Sequence, residues 1–165
     1  MDKPTKHSPL HLNYFEFTIK RVPNMVYFCQ EVNIPGLGHS VVDQGTSLGL
    51  PVKIPGGAFT FEPFSVTFKV DEQMKNWLEI FNWIKGVGNY SNDTSSLQYR
   101  DRFSDARLTI TNSMYKPKFA VNFKNIFPNS LSGIKFSTIL ADSIEAVVTA
   151  TFAFTNYEIE TLANP

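Results

Sequence analysis

The chain of 165 residues carries 15 acidic and 15 basic side chains, so its formal net charge is zero. Proteins that hold DNA by neutralising phosphates need a basic excess, and the charge balance argues against that class. The single cysteine, Cys29, excludes an intrachain disulfide and suits a reducing compartment.

Met1 to Leu12 is polar and holds Pro4 and Pro9, which reads as a flexible arm. It has no apolar signal core, and no run in the chain approaches the ~20 apolar residues of a membrane helix. Asn13 to Arg21 alternates. Phe15, Phe17 and Ile19 point one way; Tyr14, Glu16, Thr18 and Lys20 point the other, as in a half-buried strand. Val22-Pro23-Asn24 is turn material. Met25 to Ile34 reads as a second strand, hairpinned to the first.

Pro35 to Phe59 is rich in Gly and Pro and includes parts of two Ile-Pro-Gly units, Ile34 to Gly36 and Ile54 to Gly56. Roughly 24 residues is long for a connection inside a compact domain. Its symmetry predicts a projecting hairpin over residues 35–57, with arms Gly38 to Asp43 and Leu48 to Ile54 and a tip near Gln44 to Gly49. Disorder is the competing reading. A lone two-stranded ribbon is only marginally stable in water, so this one points to a neighbouring surface and to assembly.

Phe64, Val66, Phe68 and Val70 alternate with Ser65, Thr67 and Lys69, a further strand. The period then changes. Met74, Trp77, Leu78, Phe81 and Ile84 recur at spacings of three and four, one face of a helix over residues 72–85 that packs on the sheet. Ile80 and Trp83 widen that face. Asp71 is placed to cap its start, and Gly86 and Gly88 to stop it in a left-handed turn. Trp77 and Trp83 suit a sugar site less well than core packing, because their spacing is helical.

Asn89 to Asp105 is a polar loop. Ala106 to Thr111 and Phe119 to Lys124 alternate as strands, with Asn112-Ser113 turning between them. Phe127 to Ser130 reads as a turn, Ile134 to Ile139 as a strand, Asp142-Ser143 as a break, and Ala146 to Ile159 as the longest strand. The expected fold is mainly β: a sandwich or half-barrel of about seven to eight strands with one flanking helix. One β domain, residues 13–160, lies between the arm 1–12 and a short tail 161–165.

Chemistry is sparse. His7, His11 and His39, with one cysteine, make no zinc spacing. There is no phosphate-cradling glycine-lysine loop and no nucleophile elbow. Asp71 with Glu72 reads as a helix start, and Asp101 with Asp105 as solvated loop. The expectation is no enzyme, no metal and no cofactor. Cys29 reads as a small apolar strand residue.

Several motifs together carry a resemblance. They are Phe15-x-Phe17-x-Ile19, Val22-Pro23-Asn24, Tyr27-Phe28-Cys29-Gln30, Ile34-Pro35-Gly36, Pro55-Gly56 and Phe68-x-Val70-Asp71-Glu72. Asn76-Trp77-x-Glu79-Ile80-Phe81-Asn82-Trp83-Ile84 is the strongest, and Asp105-Ala106, Phe127-Pro128-x-Ser130-Leu131 and Ala150-Thr151-Phe152 complete the set. Over about residues 13–160 the chain resembles the tail tube proteins of contractile-tailed bacteriophages. The resemblance implies six copies closing into a ring, with rings stacking into a tube inside a contractile sheath. It implies DNA passing through the channel without specific binding. It places the protein in the virion, assembled in the host cytoplasm, with partners that include itself, the tail sheath protein, the baseplate tube-initiator and the tail terminator. Ring-to-ring contact would fall on the ribbon, with Val41, Val42, Asp43, Leu48, Leu50 and Val52 as candidates. Glu31 and Asp43, with nearby Ser and Thr, are the candidates to line the channel. The alternatives are a tube-initiating baseplate protein, a tube protein of a related injection system, or a free-standing barrel that binds a small apolar ligand or carries an enzyme.

Overall fold

One long strand is shared between two antiparallel half-sheets, and their inner faces close over a core of phenylalanines. The computed structural model describes residues 10–47, 49–88, 97–139 and 144–162. Among these lie nine strands: β1 (Phe15–Ile19), β2 (Cys29–Val32), β3 (Leu37–Gln44), β4 (Val52–Phe61), β5 (Phe64–Lys69), β6 (Ser104–Thr111), β7 (Pro117–Leu131), β8 (Val147–Ala153) and β9 (Asn156–Thr161). One α-helix, α1, spans Lys75–Val87.

The first half-sheet runs β1-β6-β7-β9, and the second runs β2-β5-β8-β7. β7 changes sheets part-way. Asn125 takes the left-handed conformation there (φ 53°), which Asn tolerates better than most residues. A register shift between Pro128 and Ser130 completes the bend. Across the gap Phe64 stacks on Phe123 at 4.3 Å and meets Phe17 edge-on at 5.6 Å. Phe68, Val66, Ile126, Val121 and Ala150 fill the same core. Among the described residues β3 and β4 pair only with each other, as a separate two-stranded sheet. The architecture is thus the mainly β, single-helix fold with a long hairpin that the residue pattern predicts. The half-sheets do not close into a barrel.

Several local expectations are corrected. β1 and β2 do not form a hairpin: β1 pairs with β6 and β2 with β5. Val22 and Met25, three apart and both fully buried, anchor a 3-10 turn over Pro23–Phe28 that carries the chain between sheets. Phe127 to Ser130 lies inside β7 rather than in a turn, since β8 supplies a pairing partner there. Residues 134–138 alternate but have no partner strand among the described residues, and they stay irregular with Phe136 exposed. The stretch from Ala146 to Ile159 splits at Phe154-Thr155, where the chain crosses from the second half-sheet to the first. The Asp142-Ser143 break, residues 89–96 of the 89–105 loop and residues 1–9 lie outside the described residues, while the described end of that loop holds a 3-10 turn at Tyr99–Arg102 and runs into β6 at Ser104.

The helix also differs in detail. Met74, not Asp71, is its N-cap, in a left-handed conformation (φ 56°) with no side-chain cap. Asn76 does the capping from inside the first turn. Its Oδ1 accepts the N–H groups of Asp71 (3.1 Å) and Trp77 (2.8 Å), and its Nδ2 donates to the Lys69 carbonyl at 2.8 Å. One fully buried amide therefore satisfies an orphan donor of the helix and ties it to the end of β5. Gly86 is buried within the helix, and Gly88 ends it at φ −75°, not in a left-handed turn. The inward seam is Asn76, Ile80, Trp83 and Gly86. Met74, Trp77 and Ile84 are half-buried, whereas Leu78 and Phe81 are exposed. Leu78 and Phe81 are therefore not core. The buried face runs through Asn76, Ile80, Trp83 and Gly86, which turns these two to the outer flank, where Phe81 stacks on Trp77 at 5.0 Å.

Candidate assembly surfaces

The ribbon is clamped at its root and bare along its length. At the root, Asn33 Oδ1 accepts the Ser65 N–H at 2.7 Å while its Nδ2 donates to the Pro63 carbonyl at 2.9 Å. The Glu62 N–H donates to the Gly36 carbonyl (3.0 Å), and the Gly36 N–H returns a bond to the Glu62 carboxylate (3.2 Å). Tyr157 on β9 donates its hydroxyl to the Pro35 carbonyl at 3.0 Å, and its ring, with Phe154, packs on Phe61. The exit angle of the ribbon is thereby set by the aromatic cluster of the sandwich. Sequence reasoning missed Asn33, Phe61 and Tyr157. Asn33 had a local signal, a polar residue just before Ile-Pro-Gly; Tyr157 acts over 122 positions and had none.

Beyond the root, Val42 faces Ile54 and Gln44 faces Val52 on one side of the ribbon, with Val41 and Pro55, Asp43 and Lys53 on the other. Val41 is 56%, Val42 49% and Val52 50% exposed, and Leu50 near the tip is more so. Apolar side chains bare on both sides of a two-stranded ribbon are what a docking element looks like, not a covering flap. Gly56 is needed for the two strands to approach: a Cβ there would lie 2.1 Å from Ser40 Oγ and 2.8 Å from the Ser40 carbonyl oxygen. Of the ring-contact candidates, Val41, Val42, Asp43, Leu50 and Val52 lie on the ribbon or just beyond it, and Leu48 falls outside the described residues. Asp43 is paired with Lys53 at 3.3 Å, so it presents little free charge. Glu31 sits apart from it, on β2 opposite Thr67 of β5.

No cluster of three or more potential metal ligands occurs among the described residues. No helix among them is long and apolar enough to cross a membrane. Burial pushes the Cys29 thiol up from 9.0 to about 11. A thiol held neutral is a poor nucleophile, so alkylation of the folded protein at pH 8 should run far slower than that of a free thiol. The raised value means the fold gains from the neutral form below pH 9 and loses that gain as pH climbs toward 11. A denaturation series across that window should show falling stability; a flat series would place the thiol in water.

The profile of the phage tail tube protein family matches residues 8–160. The chain belongs to that family. Over 133 residues it is 30% identical to the tail tube terminator protein of Enterobacteria phage T4, a match covering 79% of this chain and 76% of that one. Among solved structures, a chain of the anti-feeding prophage baseplate aligns with a TM-score of 0.68 at 10% identity, over 94% of this chain and 97% of that one. A chain of the anti-feeding prophage tube-terminating cap aligns with a TM-score of 0.64 at 16% identity, over 98% and 97%. At such identities these two likenesses concern the fold. The family membership makes this a structural protein of the phage tail tube family, not an enzyme.

Proposed function

We propose that six copies of this chain form the ring that ends a contractile tail tube. The observation that carries this is the 30% identity to a tube terminator, spread over three quarters of both chains. The ribbon supports it: an apolar projection clamped at one end suits docking onto the adjacent ring. On this reading the protein joins the tube in the host cytoplasm, contacts the sheath's end, and lets DNA pass without holding it. Val41, Val42, Leu50 and Val52 make the ring-to-ring contact.

A second reading is the repeating tube subunit itself, favoured by a ribbon exposed on both sides, which suits stacking many times over. Negative-stain microscopy separates the two. The terminator reading expects rings that cap added tail tubes and never lengthen alone. Long tubes from the purified protein would move it to the repeating subunit. Small featureless particles that neither form rings nor bind tubes would sink both.

A further inference from the structure

The two half-sheets turn different chemistry outward. On β2-β5-β8-β7 the outer positions are Glu31, Ser65, Thr67, Thr149, Thr151 and Ser130, which the register brings side by side. Thr67 and Thr149 share a hydrogen bond at 3.1 Å, and the hydroxyls of Ser130 and Thr151 share another. The cation at the end of these strands, Lys69, is ion-paired with Glu145. The outer face of β1-β6-β7-β9 is a lattice of charge instead. Lys20 meets Asp105 at 2.9 Å, Lys124 meets Glu158 at 2.6 Å and Arg107 meets Glu160 at 3.7 Å. Exposed pairs of this kind are worth little each, so a passing phosphate competes for their cations.

We infer that the hydroxyl face of β2-β5-β8-β7 is the surface that DNA slides past, and that the charged face points away from the channel. This rests on the ring reading above. Serine and threonine hydroxyls hold water without charge, which keeps a wall wet while giving phosphates no counter-ion. Glu31 has no ion partner among the described residues and stands on the same face, where it adds repulsion.

The test adds one cation to each face, Ser130→Lys on the hydroxyl face and Thr18→Lys on the charged one, both at exposed strand positions, with Thr149→Lys at a half-buried position as a second hydroxyl-face variant. Assembled rings, confirmed by microscopy, are mixed with linear duplex DNA and with closed circular duplex at low and high salt. Ser130→Lys and Thr149→Lys rings should retain linear duplex at least ten-fold more tightly than unmodified rings, lose it in high salt, and ignore the closed circle, which cannot thread. Thr18→Lys rings should match the unmodified ones on linear duplex. Threading-dependent retention by Thr18→Lys, or no gain in the hydroxyl-face rings, overturns the assignment. Absence of rings from the unmodified protein would instead count against the ring reading.

Discussion

Replacing Val42 by Asp and Ile54 by Lys together should leave a folded protein that no longer docks on a neighbouring ring. The two positions face each other across the ribbon, so the new charges pair across the strands and the hairpin keeps its register. The sandwich core does not include either residue, so the unfolding free energy should stay within about 0.5 kcal/mol. Docking is different. Each Val or Ile buried at a contact contributes about 1.5–3 kcal/mol, and burying charges there costs more. A loss on the order of 4 kcal/mol per contact weakens docking about a thousand-fold. Sedimentation of the variant with tail tubes, alongside a denaturation curve, checks both halves. A variant that caps tubes at the concentration the unmodified protein needs would show that the ribbon is not the docking element. Deleting Val41 to Pro51 should give the same outcome, because the root clamp at Asn33, Gly36 and Glu62 lies outside the deletion.

The ribbon was legible because its composition conflicts with its length. A Gly- and Pro-rich stretch bounded by repeated Ile-Pro-Gly units has few ways to be ordered, and pairing on itself is the simplest. The period-two runs at Phe15, Phe64 and Ala106 were legible for the same local reason: one face is buried, so alternation survives. What the pattern hides is partner choice. Nothing near β1 says that it pairs with β6, about ninety positions on, rather than with the next segment. The bend in β7 is likewise non-local: Pro128 suggests a turn until β8 is there to pair with it. Residues 134–138 make the converse case, alternation with no strand among the described residues to answer it. The contact candidates on the ribbon were legible as exposed apolar groups, whereas the hydroxyl face needed the register of four strands before its members came together.

The helix supplies the other large effect. Its spacing points to Trp77, but Trp83 is the ring within the core, 2% exposed and tilted against Phe152 at 6.2 Å. Its indole N–H donates to the Arg102 carbonyl at 2.9 Å, and the Arg21 guanidinium lies over its face at 5.5 Å. Trp83→Ala therefore removes a core aromatic, a hydrogen bond and a cation–π contact, and should cost about 3–5 kcal/mol. Trp77 is half-buried, stacked on an exposed Phe81, and bonds the Ser132 carbonyl at a longer 3.3 Å. Trp77→Ala should cost well under half as much, on the order of 1–2 kcal/mol. Asn76→Ala belongs with the larger group despite its small volume. It strands the Asp71 and Trp77 N–H groups and the Lys69 carbonyl in a buried site, at about 1–3 kcal/mol for each group left unsatisfied. Asn76→Asp should not rescue it, since a carboxylate accepts the two N–H groups but loses the donor to Lys69 and buries a charge. Denaturant titrations of the four variants give the order directly. If Trp77→Ala costs more than Trp83→Ala, the helix is rotated about its axis from the orientation described, and the seam through Asn76, Ile80 and Trp83 is not the one that holds it to the sheet.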